Sequence, residues 1–111
     1  MKKIERALSV RQPYAEQIMR GLKTIEYRSR ITHIRGRIYI YASKKPGPLA
    51  EFAAMRQEPG TLPTGVLVGT VEVVGCAKVR GQYQWHLAKP KRLAKKLKPE
   101  KTPQPIWFHP F

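Results

Sequence analysis

Residues 4–28 read IERALSVRQPYAEQIMRGLKTIEYR, and the changes of rhythm within them decide the fold. Over Ile4–Val10 apolar and polar side chains alternate, the period of a strand with one buried face. Pro13 suits the first turn of a helix, where the N–H it lacks would have no intrahelical acceptor. Tyr14, Ile18 and Leu22 then recur every fourth residue with Ala15 and Met19 beside them, which predicts one apolar helical face. Arg20 complements the negative end of the helix dipole, and Gly21 supplies the stop. Alternation returns over Thr24–Arg28. Ile25 and Tyr27 share one face there; Thr24, Glu26 and Arg28 share the other.

Working outward, Arg37–Ala42 (RIYIYA) is the strongest strand signal, rich in β-branched and aromatic residues. Pro48 is expected to open a second helix through about Gln57, with Leu49, Phe52, Ala53 and Arg56 on one side. Residues 58–65 hold two prolines and two glycines and read as a loop. Val66–Val74 (VLVGTVEVV) predicts a strand buried on both faces except near Glu72, with a bend or bulge at Gly69. Within Lys89–Lys101, Leu93 and Leu97 would share the face of a short third helix. The tail from Pro103 carries Ile106, Trp107, Phe108 and Phe111, so we expect it to return as a terminal strand or an extended packed segment. The sum is an α+β fold: a small mixed β-barrel flanked by two or three helices, one domain over residues 1–111.

The 111 residues carry 22 Lys+Arg against 7 acids, all Glu, for a net charge of +15. That imbalance points to a polyanionic partner, nucleic acid first, and argues against a nuclease built on clustered metal-binding carboxylates. The lone Cys76 cannot form an intramolecular disulfide. No apolar run reaches the roughly 20 residues of a membrane span, and Glu5 and Arg6 interrupt the start where a signal peptide would be apolar. The expectation is a cytoplasmic protein without membrane association. His33, His86 and His109 have no metal-ligand spacing with Cys76, so no metal or other cofactor is expected.

The run Leu8-Ser9-Val10-Arg11-Gln12-Pro13-Tyr14-Ala15, followed by Gly21-Leu22-Lys23-Thr24-Ile25-Glu26-Tyr27-Arg28, resembles the ASCH domain family of the PUA-like superfamily. RIYIYAS, GTVEVV, Tyr83-x-Trp85-x-Leu87 and the ending Pro103-Gln104-Pro105-Ile106-Trp107-Phe108 extend the resemblance over nearly the whole chain. It implies a small β-barrel with helices at its side, a cleft near the first motif, and a role with RNA rather than DNA. One branch of the family resembles amidohydrolases that deacetylate N4-acetylcytidine with a Lys, a Thr and a Glu. Lys23 matches that lysine; Glu26 stands where the threonine would be, and the branch's distant glutamate has no counterpart here. Other members are associated with ribonuclease activity.

The residues themselves also suggest a cleft. Arg11 and Gln12 sit where a strand turns into a helix, Lys23 follows the helix stop, and Glu26 and Arg28 project from one face of the next strand. If the two strands lie close, Arg11, Lys23, Glu26 and Arg28 converge; the competing reading is an internal ion-pair network around Glu26. Arg11, Gln12, Tyr14, Lys23, Glu26, Arg28 and Trp85 are the candidate nucleotide-binding residues, Tyr14 and Trp85 as stacking partners unless they serve the core. Lys23 and Glu26 are the proton-handling pair if the protein is an enzyme. Arg35, Arg37, Lys44, Lys45, Lys91, Arg92, Lys95 and Lys96 form the candidate phosphate-tracking surface.

Overall fold

The computed structural model describes residues 3–111. Six strands and two short helices follow in the order β1 (Ala7–Arg11), α1 (Tyr14–Met19), β2 (Ile25–Arg28), β3 (Gly36–Ser43), α2 (Leu49–Ala54), β4 (Val66–Val79), β5 (Gln82–Leu97) and β6 (Trp107–Phe108). The strands form one curled sheet, a half-barrel, in the order β2-β5-β4-β3-β1-β6. β1 runs parallel to β3 and every other pairing is antiparallel, so the sheet is mixed.

The motif segment folds as its rhythm dictates. Leu8 and Val10 of β1 enter the core, as do Ala15, Ile18 and Met19 of α1. Full burial of such an aliphatic side chain contributes about 1.5–3 kcal/mol, which anchors the turn between them. Pro13 has no side chain able to cap the helix, and its neighbour does so instead: Gln12 Oε1 accepts the Glu16 N–H at 3.0 Å. The helix stops at Gly21, whose φ of +75° favours glycine. Leu22 N–H donates to Gln17 O and Gly21 N–H to Ile18 O, the paired bonds of a Schellman ending. This early stop corrects one expectation: Leu22 does not extend the apolar face but is 70% exposed.

The segment 89–101 also departs from expectation. It is not a third helix; its first part is the far end of β5, and two helices are seen among the described residues. As a helix it would bury only Leu93 and Leu97, whereas as a strand it pairs with the backbone of β4 as far as Leu67. The pairing shifts register between Thr70 and Glu72, opposite Lys91 and Ala88, so Lys89 and Pro90 occupy a bulge. A bulge is where a proline, which cannot donate to the ladder, is tolerated. α2 is shorter than expected, and Phe52 is its buried residue. Register also shifts around Gly69 in β4, where a Cβ would sit 2.2 Å from Met19 Sδ. The tail returns to the sheet as expected: Trp107 and Phe108 pair with Leu8 and Ala7. Among the described residues no helix is long and apolar enough to cross a membrane.

Candidate functional site

β2 puts its polar face inward. Glu26 is only 7% exposed while its neighbour Tyr27 is 53% exposed, because β2 pairs with β5 at the sheet edge and its other face lies toward solvent. A carboxylate so placed needs cationic partners. Arg28, two residues on and on the same face, donates to Glu26 Oε2 through both Nε, at 2.9 Å, and Nη2. Lys23 Nζ stands 3.4 Å from Glu26 Oε1, reaching it because the chain reverses at Gly21. Arg28 Nη2 also donates to Ser9 O on β1 at 3.0 Å, tying the two motif strands together.

These residues line an open cleft of about 860 Å³, a size common among ligand sites. One wall is the end of β1 with Arg11 and, at the start of α1, Tyr14; the second is Lys23 with Glu26, Tyr27 and Arg28 of β2; and the third is the tail, Pro103 to Ile106. Ser9 holds that tail: its hydroxyl donates to Gln104 O at 2.6 Å, and its N–H donates to Ile106 O at 2.9 Å. Ser43 and Lys45 complete the rim. Arg11, Lys23, Arg28 and Lys45 thus face a single carboxylate, Glu26. Lys23 Nζ lies 5.3 Å from the ring centroids of both Tyr14 and Tyr27, within cation–π range. Burial, reinforced by the Glu51 and Glu26 carboxylates and opposed by Arg11, pushes the Tyr14 phenol above its ordinary value, so it stays a hydrogen-bond donor at neutral pH. The cleft thus combines cations, which suit an anionic group, with aromatic rings, which suit a flat one.

The ASCH domain model matches residues 8–108. The chain belongs to the ASCH domain family. Over 80 residues it is 39% identical to human activating signal cointegrator 1, covering 62% of this chain and 14% of that protein. The mouse protein of the same name is 36% identical over 88 residues, 69% of this chain and 15% of that protein. The chain therefore spans about a seventh of the length of these curated relatives.

Of the residues singled out from sequence in this ASCH domain, Arg11, Tyr14, Lys23, Glu26 and Arg28 meet in the cleft. Gln12 does not. It is 1% exposed, and its amide joins the Glu16 N–H to Pro63 O, so it is consumed in holding the strand-to-helix turn. Trp85 does not reach the cleft either. It is 1% exposed, stacked on Trp107 with centroids 5.5 Å apart, and its Nε1–H donates to Arg30 O at 2.9 Å. The Arg28 guanidinium lies 5.6 Å from its ring, so Trp85 acts on the cleft only by backing Arg28.

The basic surface divides in two. Arg35 donates to Thr32 O and Ile34 O; Arg37 donates to Thr70 Oγ1 and Lys89 O and stands 3.8 Å from Glu72. Arg92 binds both Glu16 oxygens at 2.9 and 3.0 Å. Burial alone would raise the Glu16 carboxyl, but hydrogen bonds and charge from Arg92 and Arg20 outweigh it and hold Glu16 below its ordinary value. These three arginines serve the fold first. Lys44, Lys45, Lys91, Lys95 and Lys96 are exposed and have no ion-pair partner among the described residues.

Sequence reasoning missed the tail wall and Ser9 as its holder. The proline-interrupted apolar ending signalled that the tail packs somewhere, but only its pairing with β1 brings it to the cleft. Among the described residues no three His, Cys, Asp or Glu side chains are grouped to hold a metal ion.

Proposed function

We propose that this domain binds single-stranded RNA, holding one nucleotide or base in the cleft while exposed lysines follow the phosphate backbone. The observation that carries this reading is the convergence of Arg11, Lys23, Arg28 and Lys45 with Tyr14 and Tyr27 around one open cleft, on a chain of net charge +15. Family membership supports RNA as the class of nucleic acid. Arg11 is exposed, without an ion-pair partner among the described residues, and so is the cation best placed to meet a phosphate. A base enters such a cleft only when unstacked, which favours a single strand.

The test is fluorescence anisotropy with labelled single-stranded RNA. Arg11→Ala should weaken binding about tenfold, corresponding to about 1.4 kcal/mol, with an unchanged melting temperature. Arg28→Ala should weaken binding further than its effect on stability explains. Binding unaffected by Arg11→Ala, or lost with Arg28→Ala only in step with unfolding, would leave the cleft a purely structural feature.

A second reading is a metal-independent hydrolase acting on RNA or on a modified nucleoside such as N4-acetylcytidine. Lys23 Nζ, 3.4 Å from Glu26 Oε1 inside the cleft, favours it, since such a pair can pass a proton. Incubation with RNA and with N4-acetylcytidine, chelator present, distinguishes the two. Turnover that disappears in Lys23→Ala makes the domain an enzyme. An RNA mobility shift without turnover of either substrate favours the binding module.

A further inference from the structure

The cleft is open at its Lys45 rim. Ser43, Lys45 and Pro103 line it on one side and, on the other, line a second open groove of about 750 Å³. The parallel pairing of β1 and β3 creates this shared lip. It sets Arg11 beside Ser43 at one end of the sheet, and the chain leaving β3 then places Lys44 and Lys45 there. Lys98 joins from the end of β5, just beyond the pairing of Leu97 with Leu67.

The second groove has three lysines, Lys44, Lys45 and Lys98, and no carboxylate in its lining. Unlike Arg35, Arg37 and Arg92, none of the three has an ion-pair or side-chain hydrogen-bond partner among the described residues. Lys44 is also positioned. Its aliphatic stem lies on Gly65, where an added Cβ would be 3.0 Å from Lys44 Cε, and the Gly65 N–H donates to Ala42 O at 2.6 Å. Three unneutralised ammonium groups in a groove, one with its stem packed, attract a polyanion through point charges that ignore base identity.

We propose that this groove is a backbone subsite for the nucleotide adjoining the one in the cleft, so that the ligand is a single strand of two or more nucleotides rather than a free nucleotide. The inference rests on the cleft reading above. The strand places a base in the cleft lined by Tyr14 and Tyr27, crosses the lip at Lys45, and sets its next phosphate against Lys44 and Lys98.

The experiment measures affinity for labelled oligouridylates and oligoadenylates, from mononucleotide to tetranucleotide, at several salt concentrations. In the wild-type protein the tetranucleotide should bind about tenfold more tightly than the mononucleotide at low salt. Lys44→Gln with Lys98→Gln should leave mononucleotide affinity within about twofold, abolish the gain with length, and reduce the log-affinity slope against log salt by about 0.7 for the one phosphate no longer neutralised. Lys3→Gln with Lys78→Gln, an equal charge loss outside both grooves, should keep the gain. A wild-type protein that binds mononucleotide but gains nothing with length overturns the subsite. So does a gain that survives the groove variant or is lost equally in the control. If wild type binds no mononucleotide at all, the cleft reading itself fails and the subsite falls with it.

Discussion

Glu26 shows how much one buried carboxylate can organise. Arg28 on the same strand and Lys23 from the preceding turn both bind it, and Arg28 carries the connection on to Ser9 O. The alternation of β2 already placed Glu26 and Arg28 together; it did not say that their face would be the inner one. Gln12 teaches the opposite lesson. A residue able to donate and accept beside a helix start looks like a base reader, yet the missing capping side chain of Pro13 creates a local need that Gln12 fills. Gln12→Ala should therefore cost about 1–3 kcal/mol of stability, since it leaves the buried Glu16 N–H and Pro63 O without their partner. Urea unfolding measures this. A loss under about 0.5 kcal/mol would show that the turn holds without the amide.

Between elements, the bond from α1 to β5 is ionic. Glu16 on the helix is 7% exposed and receives Arg20 from the helix end and Arg92 from the strand beneath. Because these partners hold its carboxyl below the ordinary value of 4.5, the folded state binds a proton at Glu16 less readily than the unfolded chain does. The resulting stabilisation is complete above that ordinary value and is lost as pH falls through the lower folded one. The difference in stability between wild type and Glu16→Gln should therefore be constant near neutrality and shrink below about pH 4.5. Unfolding curves across about pH 3–7 test it; a difference independent of pH would mean that packing, not charge, is what Glu16 supplies. The sequence showed Arg20 at the helix end but could not show Arg92, 76 positions from Glu16, because that ion pair depends on β5 being a strand.

For the whole molecule, the charge of +15 is spread unevenly in what it can do. Arg35, Arg37 and Arg92 are engaged by carbonyls and carboxylates of the fold, whereas the lysines at the far end of β5 face solvent. Lys95→Glu with Lys96→Glu should weaken RNA binding evenly across sequences and flatten the dependence of log affinity on log salt, by about 0.7 for each phosphate left without its lysine. An unchanged slope would remove that end of β5 from the RNA path. Weakening confined to particular sequences would mean that these lysines read bases.

The amino-acid sequence alone determined the strand–turn–helix–stop–strand order of residues 7–28, the mixed β architecture, the return of the tail and the large positive charge. Each depends on interactions between near neighbours or on composition: alternation along a strand, an apolar period of four, a glycine able to take φ of +75°, a surplus of cations. Only the tertiary structure decided that Arg11, Tyr14, Lys23, Glu26 and Arg28 share a cleft whose third wall is the tail, and that Gln12 and Trp85 lie behind it. It also decided that residues 89–97 are strand, because a segment with two leucines and many lysines gains more from pairing with β4 than local propensity can offer. These outcomes depend on partners far apart in sequence, and which partners meet is set by sheet order and register, which no local pattern encodes.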